Sequence, residues 1–136
     1  MIKLAPSAIE RYEACPGAYY AEDGLPWQDS PWAAEGTLLH AAVSDDSKWD
    51  GLTTEHKRVV SICRNAGREL LIEHVKGINQ FAHESYLQWT AKRFKLSGKL
   101  DFVAWDDTSS LIIDWKFGRE MVEVAPSNLQ LRCYSV

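Results

Sequence analysis

Asp101, Asp114 and Lys116 are the residues of this 136-residue chain hardest to account for by packing alone. They sit in or beside two apolar runs, residues 100–105 and 111–115, which flank the polar cluster Asp106-Asp107-Thr108-Ser109 in a strand, turn, strand pattern. With Asp107 and Thr108 at the tip, Asp106 pairs with Ser109, and the same register sets Asp101 opposite Asp114 and Lys99 opposite Lys116. Side chains alternate along a strand, so Asp114 and Lys116 share a face and Asp101 joins them from the neighbouring strand. Two carboxylates facing each other across a ladder, with Cβ atoms roughly 4.5–5.5 Å apart, repel and cost stability. A divalent cation held by both turns that cost into binding. An oxygen-rich site with few protein ligands suits Mg²⁺ or Mn²⁺, which keep waters and take up phosphate oxygens. The lysine beside it can stabilise developing negative charge or help position an attacking water. The simpler alternative is a hairpin whose polar residues only face solvent.

Composition bounds the elements that must hold such a site. At 46% hydrophobic and 25% charged, the chain reads as one soluble globular domain over residues 1–136, with enough length for a modest core. No apolar run approaches the ~18 residues of a membrane span, and no leader pattern opens the chain, so a cytoplasmic location without membrane association is expected. Cys15, Cys63 and Cys133 are odd in number and widely spaced, which argues against a disulfide framework and for a reducing compartment. A net charge of −4 is not the basic balance of a protein that grips nucleic acid by bulk electrostatics. It weighs against a binding-only role but leaves metal-assisted phosphodiester chemistry open, because a cation neutralises acidic ligands.

Periodicity and capping signals place the rest. Ser7 is a candidate N-cap with Glu10 three residues on; Ile9 and Tyr12 give that short helix an apolar side, and Pro16-Gly17 stops it. Residues 19–31 read as a loop, and Trp27 and Trp32 are expected to pack on the core rather than stack on a base. A helix near residues 32–43 puts Gly36 and His40 on one face, the glycine leaving room for a close approach. Thr53 or Thr54 caps a long helix to about Lys76, with Val59, Val60, Ile62, Cys63, Ala66, Leu70 and Val75 as its apolar stripe and Gly77 as its stop. Its charged face carries Lys57, Arg58, Arg64 and Arg68, which suit solvent or phosphate. Residues 81–90 read as the first strand, with Glu84, Tyr86 and Gln88 alternating against Ser85, Leu87 and Trp89. Residues 121–125 read as a further short strand. Ser127 then caps a last helix, residues 128–134, with Gln130 at capping-box spacing and Gln130 and Tyr134 on one face.

Gly98-x-x-Asp101 followed by Asp114-Trp115-Lys116 resembles the PD-(D/E)xK nuclease superfamily in its RecB-type exonuclease form, as found in phage. Further matches run in that family's order: Pro6-Ser7 with Tyr12 and Cys15-Pro16, Glu35-Gly36-Thr37 with His40, and Gln130 with Tyr134. The resemblance spans residues 7–134 and implies an α/β (α+β) restriction-endonuclease-like core, a central mixed sheet flanked by helices. It implies a divalent-metal-dependent nuclease that hydrolyses DNA phosphodiester bonds, an exonuclease of recombination or repair. By the same resemblance Asp101, Asp114 and His40 bind Mg²⁺ or Mn²⁺, Trp115 lends its backbone carbonyl, Glu84 is a further ligand or orienter, Lys116 is catalytic, and Gln130 and Tyr134 position DNA. A histidine ligand is more usual for Mn²⁺ than for Mg²⁺. Cys15 stands where that family places one of four iron–sulfur ligands, but with three cysteines an all-thiolate cluster is not expected. Family members continue past the Gln/Tyr helix with a further strand, whereas this sequence stops at Val136. By that comparison the sequence is a fragment, a partner supplies the missing strand, or the last helix and sheet edge are incomplete; an uncovered edge invites pairing, so self-association, a swapped element or a partner such as a recombination protein is expected. The rival expectation is a catalytically silent or partial nuclease fold acting as a DNA-binding or protein-interaction module.

Overall fold

The computed structural model describes residues 1–26, 30–77, 80–118 and 122–135. Its elements run β1 (Ile2–Leu4), α1 (Ile9–Ala14), α2 (Ala18–Ala21), α3 (Pro31–Ser44), α4 (Thr54–His74), β2 (Gln80–Ala91), β3 (Phe94–Trp105), β4 (Ser110–Ile113) and α5 (Leu129–Tyr134), with 3-10 turns at Pro6–Ala8 and Asp46–Lys48. The strands form a four-stranded sheet in which β3 lies between β1 and β2 and also pairs with β4. The sheet is mixed, because β1 runs parallel to β3 and β4 antiparallel to it. The chain divides into two compact units, residues 1–28 with 86–99 and 121–136, and residues 29–85 with 100–120. No helix among the described residues is long and apolar enough to cross a membrane.

In the unit of residues 29–85 and 100–120, two capped helices build the core. Ser30 accepts a hydrogen bond from Ala33 N with Pro31 in the first turn of α3, and Thr53 accepts one from His56 N at the start of α4, each satisfying an otherwise orphaned donor. Leu39, Ala42 and Val43 of α3 pack with Leu52 and Val60, and Trp49, Cys63, Trp115 and Phe117 surround them. The apolar stripe of α4 is narrower than its sequence suggests: Val60 is fully buried, while Ile62 and Leu70 are exposed. Arg64 is not a solvated cation. Its guanidinium donates to the carbonyls of Val43 and Ala42 and to Asp46 Oδ1, and it lies 4.8 Å from the Trp49 ring centre. It thus closes the carboxy-terminal carbonyls of α3, which have no partner within the helix.

The β3–β4 hairpin has the register its polar tip dictates. Phe102 faces Ile113 and Trp105 faces Ser110, and Asp106 N donates to Ser109 O at 2.9 Å. Asp106 accepts from Thr108 N, Thr108 Oγ1 and Ser109 N, an Asx turn that fixes the tip, and from Gly77 N after α4. Those donors hold its carboxyl down at about 2.

In the other unit β1 pairs with the first half of β3, Ile2 facing Phe94 and Leu4 facing Leu96. Several boundaries differ from those read in the sequence. Pro6–Ala8 forms a 3-10 turn, so α1 begins at Ile9 with Ala8 at its N-cap, and Ser7 caps nothing. Residues 19–21, expected as loop, belong to α2, where Tyr19 packs edge-on with Tyr12 and Tyr20. Residues 122–124 are irregular rather than a strand, and Met121 lies outside the described residues, as does Trp27. Asn128, not Ser127, caps α5, its side chain accepting from Leu131 N, because Ser127 is held in a turn whose amide bonds Val124 O.

Candidate metal centre

The hairpin register, carried one step past Ile113, brings Asp114 against Asp101. At that step the ladder stops. Asp101 Oδ2 accepts the Trp115 amide at 2.6 Å, so a side-chain carboxylate takes the donor that would have extended β4. Asp114 is 7% exposed at its side chain and meets Lys116 Nζ at 2.5 Å. Burial pushes the Asp114 carboxyl above its ordinary value and the neighbouring Asp101 pushes it further, against the downward pull of Lys116 and His40.

α3 supplies the third group. His40 Nδ1 lies 3.1 Å from Asp101 Oδ2, and its ring packs edge-on against Phe117 with centres 4.9 Å apart. That separation is within ion-pair reach, yet the two atoms are not aligned as a hydrogen bond, and Nδ1 is buried with no hydrogen-bond partner. A buried nitrogen in that state costs free energy unless something binds it. His56 Nε2 of α4 meets Glu35 Oε1 at 2.9 Å, which ties together the two helices that set the position of His40. A Cβ built at Gly36 meets nothing within 4 Å, so that glycine answers to no contact inside the protein.

The other predicted site residues are Glu84, Gln130 and Tyr134. Glu84 is half-buried on β2 with φ of +53°, a left-handed conformation unusual for a side chain with a Cβ, and it breaks the expected alternation because Ser85 is half-buried too. Among the described residues no three His, Cys, Asp or Glu side chains close into a ligand cluster, so neither Glu84 nor His40 completes one with Asp101 and Asp114 as the side chains stand. Gln130 and Tyr134 belong to the other unit. Gln130 is half-buried on α5, and Tyr134 is buried, its hydroxyl donating to Lys99 O at 3.2 Å. Gly98 is needed for that packing: a Cβ there would come within 2.8 Å of Tyr134 Oη and of Pro6 Cδ. Trp32 is 62% exposed rather than packed on the core. Cys15 is exposed, while burial pushes the Cys63 and Cys133 thiols up, away from reactive thiolate. Phe117 and Arg64 carry structural duties that no spacing signal in the sequence announces.

A family model described as "Protein of unknown function (DUF2800)" matches residues 2–136. The chain belongs to that family. A comparison with curated proteins finds no match.

The donor chemistry of this DUF2800 chain fits a hard divalent cation. Two neighbouring carboxylates and a buried imidazole nitrogen without a hydrogen-bond partner are groups that Mn²⁺ or Mg²⁺ binds. Without a cation, Lys116 compensates one carboxylate and the Trp115 amide the other.

Proposed function

We propose that the chain is a divalent-metal-dependent nuclease of the PD-(D/E)xK type that hydrolyses phosphodiester bonds in DNA, an exonuclease of recombination or repair. The observation that carries the reading is the placing of Asp101 between His40 Nδ1, 3.1 Å away, and a neighbouring Asp114 that is paired with Lys116. Asp101, Asp114 and His40, with the Trp115 carbonyl, would hold the cation, which when bound supplies Lewis acidity at the scissile phosphate and an acidified water. Lys116, already directed at Asp114, offers an ammonium to the phosphorane charge that develops as water adds to phosphorus and the sugar oxygen leaves. Phe117 and the Glu35–His56 pair keep the His40 ring oriented, and the Trp115 amide keeps Asp101 in place.

The test is cleavage of linear DNA in Mn²⁺. Lys116→Ala is expected to lose roughly two orders of magnitude or more in rate, the usual cost of deleting one charge-stabilising group. Absence of any Mn²⁺-dependent cleavage that Lys116→Ala removes sinks the reading. The Lys116–Asp114 pair also favours a second reading, a silent nuclease-fold module in which the lysine permanently neutralises the carboxylate. Mn²⁺ titration separates them, because the silent module binds the ion no better with Asp101 and Asp114 than with alanines in their places.

A further inference from the structure

On the sheet face opposite the two aspartates, the unit of residues 29–85 and 100–120 contains a cleft of about 430 Å³. Asp101 and Phe102 are consecutive on β3, so they project to opposite faces, and Phe102 lines this cleft with Ile113. The volume falls in the range of small-ligand sites, about 300–1,000 Å³.

Three observations define what would fit. First, one wall is an aromatic platform. The Phe81 ring, 63% exposed, lies nearly parallel to Phe102 at 6.4 Å between centres and 26°, and the His83 ring sits 4.9 Å from Phe102. An exposed ring on β2 laid against a half-buried ring on β3 is costly in water and is a surface for a flat π-system. Second, Trp115 adds a further ring, backed against α4 at Gly67, where a Cβ would sit 3.3 Å from it. Third, the charge is positive and available. Arg64 is committed to Val43, Ala42 and Asp46, but Arg68, one turn further along α4, lines the same cleft and has no hydrogen bond or ion pair among the described residues. Burial and the charge of Arg64 hold His83 below its ordinary value, which keeps it neutral and able to both donate and accept.

We infer that this cleft binds a nucleotide, the base stacked on Phe81 and Phe102 and the phosphate paired with Arg68. The chemistry is shared by a free mononucleotide and by an unpaired nucleotide within a single strand. The site uses neither the carboxylates nor the imidazole of the proposed metal centre and shares with it only Trp115, by the indole here and by the backbone carbonyl there, so the inference goes beyond the nuclease reading and does not need it.

Isothermal titration of the full chain in EDTA tests this, with dAMP, deoxyadenosine, inorganic phosphate and a five-nucleotide single strand as probes. Saturable dAMP binding is expected, with deoxyadenosine weaker and inorganic phosphate weaker still. Arg68→Gln should weaken dAMP roughly tenfold while leaving deoxyadenosine unchanged, and Phe81→Leu should weaken both, a tenfold change corresponding to about 1.4 kcal/mol and within the range for stacking on an aromatic side chain. Both side chains are exposed, so neither change threatens the fold, and circular dichroism checks that. A single strand that binds more tightly than dAMP identifies the strand as the source, and equal or weaker binding identifies the free nucleotide. Asp114→Asn should bind dAMP as the unchanged chain does, which separates this site's failure from that of the metal centre. No saturable binding of dAMP or the single strand, or binding untouched by both Arg68→Gln and Phe81→Leu, overturns the inference.

Discussion

Gly98→Ala should be among the most damaging small substitutions in the chain. A methyl at that position meets Pro6 Cδ at 2.8 Å, Tyr134 Oη at 2.8 Å and Pro6 Cγ at 2.9 Å, closer than carbon atoms approach in any relaxed structure. The proline ring cannot rotate away, and Tyr134 can retreat only by giving up its bond to Lys99 O. Overpacking of this kind costs about 1–3 kcal/mol. The lost hydrogen bond adds about 1 kcal/mol, for roughly 2–4 kcal/mol in all. Urea unfolding followed by far-ultraviolet circular dichroism reads this as a lower midpoint at unchanged slope. Tyr134→Phe alone should cost about 1 kcal/mol, and because it removes one of the atoms in the way, the double variant should be less destabilised than the sum of the two by about 1 kcal/mol. A Gly98→Ala midpoint indistinguishable from the unchanged protein, or strict additivity with Tyr134→Phe, would refute this account of why a glycine stands there.

Further outcomes follow from groups already described. Asp114 has a raised carboxyl pKa, so without metal it stabilises the fold below its ordinary value of 3.8 and loses that contribution as pH rises through the folded value; Asp114→Asn should therefore be the more stable form at pH 7 and show little difference at pH 3, by thermal melts in EDTA. Asp106 has the opposite sign: its contribution is present above its ordinary value of 3.8 and disappears as pH falls towards about 2, so Asp106→Asn should be less stable at pH 7 and converge with the parent near pH 2. Arg64→Met should cost about 2 kcal/mol or more, through carbonyls left without donors, and Arg64→Lys should not restore it, because an ammonium cannot present the same planar fork to Val43, Ala42 and Asp46.

The hairpin was legible because two independent signals agree on it: the Asp106 side chain can satisfy its own turn, and alternation on both flanking runs leaves a single register that buries Ala104 and Ile113. The long helix α4 was legible for similar reasons, with Thr53 at one end and Gly77 beyond the other. Short elements were not. At α5 the adjacent polar residues Ser127 and Asn128 compete for one cap, and at α1 the 3-10 turn Pro6–Ala8 carries the helix start past Ser7 to an alanine, so the path of the incoming chain decides both. For the candidate site, the facing of Asp101 and Asp114 follows from counting along the hairpin. The approach of His40 depends on how α3 packs on α4, which no local pattern encodes. The left-handed backbone at Glu84 and the commitment of Arg64 to α3 are likewise products of tertiary contact, invisible to periodicity.

β4 is only four residues long because Asp101 intercepts the amide of Trp115. That small substitution of one acceptor for another makes residue 115 a hinge pin between two faces of the sheet: its amide answers to Asp101, while its indole forms part of the aromatic cleft. Any ion that draws on Asp101 Oδ2 competes with this amide, and any ligand that presses on the indole pulls on the same bond. Were both proposed ligands bound, occupancy on one face would be tied to occupancy on the other through this residue, equally in both directions.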